Sequence, residues 1–220
     1  MIRRMRGTVA IAGLVLASSV ATPGAARAQA KFELTPFVGS FYPLAKMCSD
    51  CNKDGSNVRG QLLSSAVLGG RFTYWFSPTM GLEANGAYTP SRIQVSAADT
   101  TGFVLGASAK GSVLLMNGRL LYRPARTNLH FIIGAGIVHR GGNVWKTAHD
   151  SAGTKVTSPA GILGIGVRAA VTPKFALNVS AEGNFYSFDP MLGPSGNRSN
   201  GGKLQADFVV AVGVPITLSK

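Results

Sequence analysis

Apolar and polar residues alternate along most of this chain. The clearest case is the segment KFALNVSAEGNFYSF, in which Phe175, Leu177 and Val179 fall on one face and Ser180 and Glu182 on the other. A period of two is that of a β-strand whose two faces meet different surroundings, whereas a helix would show a period near 3.6. The pattern therefore predicts strands with one apolar and one polar face.

Eight segments share this alternation, and each approaches or exceeds the ~9–11 residues that a tilted strand needs to cross a bilayer. They are residues 31–42, 63–76, 80–89, 112–122, 129–139, 161–171, 174–188 and 203–216. An even strand number is what single-chain bacterial barrels have. After the N-terminal region, the sequence has no apolar run as long as a membrane-spanning helix needs.

The connections between these segments are alternately short and long. Residues 77–79, 123–128 and 172–174 form short, proline-bearing connections, and the long ones are residues 43–61, 90–111, 140–160 and 187–202. Short turns at one end and long loops at the other are typical of outer-membrane barrels. We therefore predict an all-β fold, an eight-stranded antiparallel up-and-down transmembrane β-barrel. The alternative is a soluble lipocalin-like barrel, whose apolar face would point inward.

The N-terminus indicates export. MIRRMRG supplies a basic start, an apolar run follows, and Ala26-Arg27-Ala28 or Ala28-Gln29-Ala30 offers small-residue cleavage sites. We predict a signal peptide over residues 1–28 and a barrel domain over residues 29–220. The formal charge of +13 does not suggest nucleic-acid binding in an exported chain, and a mean hydropathy of +0.19 with only 14% charged residues is unusual for a soluble enzyme.

Aromatic residues cluster near the strand ends, which predicts two girdles at the membrane interfaces. Those placed beside the short turns are Tyr74, Phe76, Tyr122 and Phe175, and those placed near the long connections are Phe41, Tyr42, Tyr88, Phe185 and Tyr186.

Three segments carry a resemblance to known proteins: FELTPFVGSFYP, LGGRFTYWFSPTMGLEANGAYTPSR and FVVAVGVPITLSK. On these segments the chain resembles the small outer-membrane β-barrel family, with its OmpA-like and OmpW-like eight-stranded proteins. The resemblance spans the whole mature chain and implies a location in the bacterial outer membrane.

The polar face of the strands predicts a charged lumen. An eight-stranded barrel has an interior just wide enough for side chains to fill, and buried charges persist when they are paired. We expect a network of seven residues: Glu33, Arg71, Glu83, Arg119, Arg168, Glu182 and Asp207. The network is expected to seal the lumen, and the alternative is a polar pathway for ions.

The sequence predicts no enzyme, no cofactor and no catalytic residue. Ser151 and Asp150 lie near His149 in a long connection, but a catalytic triad is recognised by geometry rather than by proximity in sequence. We expect a structural or surface-recognition role. The alternatives are an OmpW-like conduit for small apolar molecules and, less favoured, a lipid-A-modifying enzyme.

The long connections are basic, which predicts contact with the phosphates of lipopolysaccharide. Their basic residues are Lys46, Lys53, Arg59, Arg92, Lys110, Arg140, Lys146, Lys155, Arg198 and Lys203. The expected partners are outer-membrane lipids and lipopolysaccharide, with no nucleic acid, and the protein is expected to be a monomer.

The first long connection holds both cysteines of the chain, in KMCSDCNKDGSN. We predict a Cys48–Cys51 disulfide that shapes the loop tip, since an exported protein meets oxidising conditions. Asp50, Asn52 and Asp54 match the first half of a calcium loop, but Gln61 stands where a bidentate Glu belongs. No metal site is therefore assigned, and these three residues remain a weak calcium candidate.

Overall fold

The computed structural model describes residues 31–44, 48–53, 56–98, 104–142, 156–172, 175–188 and 203–218. The predicted signal peptide, residues 1–28, lies outside them. The strands are β1 (Lys31–Pro43), β2 (Cys48–Lys53), β3 (Ser56–Leu62), β4 (Ser65–Trp75), β5 (Met80–Ala98), β6 (Val104–Tyr122), β7 (Leu129–Gly141), β8 (Thr157–Thr172), β9 (Phe175–Phe188), β10 (Lys203–Gly213) and β11 (Ile216–Thr217).

Eight of these strands close into an antiparallel barrel. Strands β4 to β10 each pair with their neighbours in chain order, and β1 pairs with both β4 and β10. Strand β11 continues β10 in the same register: Phe37 lies opposite Gly213, and Leu34 lies opposite Ile216. Pro215, which has no N–H to donate, separates the two. The predicted eight-stranded up-and-down barrel is confirmed.

The outward face of the barrel is apolar around its circumference. An apolar belt that runs around the whole barrel faces hydrocarbon rather than water, because soluble monomers rarely expose contiguous apolar patches larger than a few hundred Å². The side chains of this belt include Leu34, Val38, Leu68, Phe72, Leu82, Met116, Phe131, Ile133, Leu163, Ile165, Val179, Val210 and Val212. The transmembrane assignment of the faces is therefore correct, and the lipocalin-like alternative is wrong.

In the part of the chain that the structure describes, no helix is long and apolar enough to cross a membrane.

The end of the barrel with the short connections is called the turn end, and the opposite end the extended end. Phe76, Tyr122 and Phe175 are exposed at the turn end, where Phe32 and Tyr74 stack with ring centroids 4.9 Å apart. Tyr42, Tyr88 and Phe185 are exposed towards the extended end. These residues form the two predicted girdles.

Two aromatic residues do not belong to the outer girdle. Phe41 is fully buried and Tyr186 is 3% exposed, because both fall on the inward phase of their strands. Their nearness to the strand ends suggested a girdle, but the alternation of faces places them in the lumen.

Two of the long connections are largely strands, which corrects their interpretation as loops. Strands β5 and β6 stay paired from Met80 and Tyr122 to Ala98 and Val104. Strand β3 pairs with the far part of β5, and β2 pairs with β3. The barrel wall therefore continues at the extended end as a four-stranded sheet in the order β2–β3–β5–β6, which we call the extended sheet.

Candidate functional site

The candidate site is the lumen, and Arg119 stands at its centre. Its Nη2 and Nη1 donate to the two carboxylate oxygens of Glu182 at 2.7 and 3.0 Å. Nη1 also lies 3.3 Å from Oε1 of Glu83, and Nε donates to Oδ1 of Asn117 at 2.5 Å. Such a fork of charge-assisted bonds fixes both carboxylates. The alternating pattern brings these residues together because β5, β6 and β9 all turn their polar face inward.

A second guanidinium shares Glu182. Nη2 of Arg71 lies 2.8 Å from Oε1 of Glu182 and 2.8 Å from Oγ of Ser180. The guanidinium carbon of Arg71 also lies 4.4 Å from the centre of the Phe37 ring, a cation–π distance. Arg71 therefore stands between the charged part of the lumen and an aromatic side chain.

Small inward residues make room for these long side chains. A Cβ added to Gly164 would lie 2.9 Å from Cγ of Glu182, and one added to Gly134 would lie 3.1 Å from Cγ of Arg119. Both distances are shorter than ordinary van der Waals contact. Part of the high glycine content of the chain thus serves the packing of the charged network.

A separate charged cluster lies at the turn end. Nη1 of Arg168 is 2.9 Å from each carboxylate oxygen of Glu33, Lys31 adds an ion pair at 2.9 Å, and Nε1 of Trp75 donates at 3.0 Å. Arg123 lies over the Trp75 ring at 4.2 Å. Burial lowers the pKa of the Arg123 guanidinium, Arg168 lowers it further, and Glu33 raises it. Glu33 is thus the carboxylate that holds this set of cations together.

Six of the seven expected lumen residues therefore make ion pairs with one another, in two groups. Asp207 lies elsewhere: its Oδ2 accepts a hydrogen bond of 2.5 Å from the hydroxyl of Tyr186. The guanidinium of Arg140 lies 4.9 Å from the centre of the Tyr186 ring.

Arg140 itself corrects the sequence interpretation, which assigned it to an outer loop. Arg140 is 1% exposed and lies inside the barrel, near the extended end. The alternation of β7 could have placed it correctly. Arg140 is an even number of residues from His130, which is 3% exposed, so both side chains point into the lumen.

The half of the lumen towards the extended end is filled mainly by apolar side chains, which the charge pattern did not predict. Phe37 and Phe41 are buried there, and a Cβ on Gly69 would lie 2.9 Å from an atom of the Phe37 ring. The buried cluster consists of Phe37, Phe41, Leu62, Val67, Ala87, Val113, Leu115, Val138, Ala160, Tyr186, Val209 and Ala211. The lumen therefore has a charged half and a mainly apolar half, and Arg140 and Asp207 are the charged residues buried in the latter among those described.

The wall beside the apolar half has an interruption. Strand β5 pairs with β4 up to Tyr88 and with β3 from Ile93 onward, and the N–H of Leu63 donates to the carbonyl of Arg92 at 2.9 Å, so the ladder stops over residues 89–91. Pro90 lies in this gap and has no N–H for a ladder. The hydroxyl of Thr89 bridges part of it by donating to the carbonyl of Ala66 at 2.7 Å.

The cysteine segment is one arm of a β-hairpin. Lys53 lies opposite Ser56, so Asp54 and Gly55 connect β2 to β3. Asp-Gly between two strands is a strong hairpin signal, and it was the sequence feature that could have identified this element. Asp54 lies outside the described residues.

The predicted disulfide and the calcium candidate remain predictions, because the side chains of Cys48, Cys51, Asp50 and Asn52 are not described. Three residues along a regular strand span about 10 Å, beyond the ~7 Å between Cα atoms that a disulfide bridges. A bulge between Cys48 and Cys51 interrupts the regular spacing, and the disulfide depends on that bulge.

The residues considered for an enzyme do not form a triad within the described part of the chain. His149, Asp150 and Ser151 lie outside it. His139 Nδ1 forms a hydrogen bond of 2.8 Å with Oγ1 of Thr157 at the extended end. Among the described residues, no three His, Cys, Asp or Glu side chains come together as a metal site.

No protein-family model matches the chain, and no curated protein matches it. Solved structures do. OprG of Pseudomonas aeruginosa is 19% identical over 87% of this chain and 97% of its own, with a TM-score of 0.49. AlkL in lipid bilayers is 14% identical over 93% and 98%, with a TM-score of 0.51. Outer membrane protein W of E. coli is 15% identical over 83% and 96%, with a TM-score of 0.38.

The likeness to AlkL establishes the fold. Together with the closed barrel and its apolar outward belt, it shows that the chain has the architecture of the small eight-stranded outer-membrane barrels, as the sequence predicted.

Proposed function

We propose that the protein is an integral outer-membrane barrel whose membrane part is a sealed structural core and whose extended sheet acts at the cell surface. The observation that carries the proposal is that both halves of the lumen are filled. Arg119 bridges Glu83 and Glu182 in the charged half, and Phe41 is fully buried in the apolar half. Filled interiors are expected for barrels of eight strands.

The extended sheet supports a surface role. Strand β5 runs nine residues beyond Thr89, which is about 30 Å of strand, and β6 stays paired with it throughout. A sheet of this length reaches past the membrane interface. Lipopolysaccharide is its nearest expected neighbour. A barrel that closes on itself leaves no strand edge in the membrane, and we infer that the protein works as a monomer.

We infer that the protein is not an enzyme. The four carboxylates whose side chains are described, Glu33, Glu83, Glu182 and Asp207, all lie in the lumen. His139 is engaged by Thr157 at the extended end, and none of these four acids is placed to orient its ring.

Two measurements test the proposal. An epitope tag inserted between Asp54 and Gly55 is expected to bind antibody on intact cells, while a tag inserted between Thr127 and Asn128 is expected to require permeabilised cells. Purified protein in planar bilayers is expected to show no steady ion conductance. The reverse tag pattern contradicts the orientation, and a stable open conductance contradicts the sealed lumen.

A conduit for small apolar molecules is the second candidate. The apolar half of the lumen and the ladder interruption beside it favour this candidate, because together they offer an apolar interior next to a weak point in the wall. Liposome uptake of an apolar fluorescent probe tests it. A rate equal to that of liposomes carrying a Val67→Phe variant, which adds bulk to the apolar half, counts against the conduit, and a faster wild-type rate supports it.

A further inference from the structure

The outward side chains of the β5–β6 pair change from apolar to polar at one level along the strands. Below that level each cross-strand pair contributes apolar side chains to the belt, and Tyr88, which is 44% exposed, belongs to the girdle. Above it the outward side chains are polar. Going towards the extended end, the successive outward pairs are Tyr88–Leu114, Pro90–Ser112, Arg92–Lys110 and Gln94–Ser108. The two basic residues thus form the second outward pair beyond Tyr88.

Arg92 and Lys110 face each other on the outward side. They are directly opposite in the register, and both are exposed. Like charges directly opposite on one face of an antiparallel pair destabilise the sheet. The four described carboxylates are all buried in the lumen, so none of them neutralises this pair. The arrangement becomes favourable when an anion lies between the two cations.

The pair borders a cleft at the interruption between β3 and β4. The cleft is lined by Leu63, Ser64, Ser65, Pro90, Ser91, Arg92, Lys110 and Gly111. Ser91 is buried on the inward phase of β5, and the hydroxyl of Ser65 shares a hydrogen bond of 2.8 Å with that of Thr89, so neither hydroxyl faces the outward pair. Ser64, in contrast, is exposed at the rim of the cleft. Two cations beside an exposed hydroxyl are donors that phosphate oxygens accept.

The height of the pair matches the lipid headgroups. Arg92 stands four residues beyond Tyr88, about 13 Å along the strand, or roughly 10 Å along the membrane normal at the usual tilt of ~40°. Tyrosine rings sit at the boundary between hydrocarbon and headgroups, so Arg92 and Lys110 lie at the level of the headgroup phosphates.

We propose that Arg92 and Lys110, with the exposed Ser64 beside them, bind a phosphate group of the outer-leaflet glycolipid, the lipid A part of lipopolysaccharide. The inference rests on the proposed function, because it requires the extended end to face outward. Phosphate binding relieves the repulsion between the two cations and ties the barrel to one lipid molecule at the ladder interruption.

The experiment measures binding of purified lipopolysaccharide to the protein in detergent micelles, for wild type and for the Arg92→Gln/Lys110→Gln double variant. Arg126→Gln is the matched control, since Arg126 is an exposed cation in the turn between β6 and β7. The double variant is expected to bind about thirty-fold more weakly, as follows from two basic residues at an anionic surface, and the control is expected to bind like wild type.

The source of the phosphate is tested with two further probes. Lipopolysaccharide stripped of its phosphates is expected to lose the same affinity as the double variant. Lipopolysaccharide is also expected to raise the unfolding temperature of wild type and not that of the double variant, because a ligand that binds the folded state stabilises it. Equal binding of the stripped lipid, or of the double variant, overturns the proposal.

A third outcome also overturns it: inorganic phosphate stabilises wild type while lipopolysaccharide does not, which would indicate a site for free anions. The tag experiment separates this inference from the proposed function. If the Asp54–Gly55 tag is exposed on intact cells and the double variant binds lipopolysaccharide normally, this inference fails alone. If the tag is hidden, the orientation has failed first.

Discussion

The two halves of the lumen are built from the same strands, but their interiors are filled by different kinds of side chain. Towards the turn end, charged side chains cross the barrel and satisfy one another, as Arg119 does with Glu182 and Glu83. Towards the extended end, apolar side chains such as Phe41 and Leu115 fill most of the space, and Arg140 and Asp207 are the charged residues buried there among those described. The boundary is Arg71, whose guanidinium bonds to Glu182 on one side and lies over Phe37 on the other.

This difference predicts which substitutions destabilise each half. Ion pairs in a low-dielectric interior depend on every partner, since removal of one leaves another charge buried without compensation. Apolar packing depends on volume and tolerates exchanges that conserve it. The charged half should therefore respond to chemistry, and the apolar half to shape.

The largest effect is expected for Arg119→Met in the charged half. The change keeps much of the side-chain length but leaves Glu182 with one cation and Glu83 with none of its ion pairs. We expect the free energy of unfolding in detergent to fall by about 3–5 kcal/mol, as measured by urea titration.

Arg126→Met is the control for this variant, because Arg126 is an exposed residue of a turn. Its effect should stay within about 0.5 kcal/mol. If Arg119→Met unfolds at the same urea concentration as this control, the ion pairs do not hold the charged half together.

The next effect concerns the contrast between outward and inward faces. Val210 lies midway along β10 and points outward into the belt. Val210→Arg is expected to cost about 2–4 kcal/mol near the bilayer midplane, measured by folding into lipid vesicles, with Val210→Leu as the control. A neutral Val210→Arg together with a poorly tolerated Asp207→Leu would indicate that the faces are inverted.

A smaller effect is expected for Leu115→Met in the apolar half. Leu115 is 3% exposed within the apolar cluster, and the exchange nearly conserves volume. It should cost less than about 1.5 kcal/mol in the same urea titration. A loss as large as that of Arg119→Met would show that both halves are equally specific, which would remove the contrast.

The smallest effect is expected outside the lumen, in β2. Closure of a ring over so few residues gains little entropy, so Cys48→Ser/Cys51→Ser should change the stability of the barrel by less than about 0.5 kcal/mol. Mass spectrometry of the unreduced protein should show the two cysteines linked. Two free thiols would refute the disulfide, and unfolding of the barrel in the double variant would refute its local role.

The calcium candidate is tested on the same element. Proteolytic protection of β2 and β3 should not change when calcium is added at micromolar concentration. Protection that requires calcium would assign Asp50, Asn52 and Asp54 to a metal site.

The sequence predicted the barrel and the charged half because both follow from alternation. A charge such as Arg119 or Glu182, surrounded by apolar neighbours, marks the inward face directly. The apolar half was not predictable in this way, since Val113 on the inward face and Leu114 on the outward face have the same character. Where both faces of a strand are apolar, register alone separates lumen from lipid.

The pairing of the long connections was missed for a different reason. Residues 90–98 and 104–111 contain glycine, serine and charged residues that are typical of loops. They form strands because β5 and β6 continue an existing ladder, so tertiary context decides against local composition. Arg92 and Lys110 were therefore expected in a loop, and their position opposite each other above the girdle emerges from the register.

Heat-modifiable migration on an SDS gel tests most directly whether the chain is a closed transmembrane barrel. Closure through β1 and β10 makes every barrel strand bond to two neighbours, so the unheated barrel should stay folded in SDS and migrate differently from the boiled chain. Identical migration of unheated and boiled samples, together with extraction of the protein into aqueous buffer without detergent, would contradict the account.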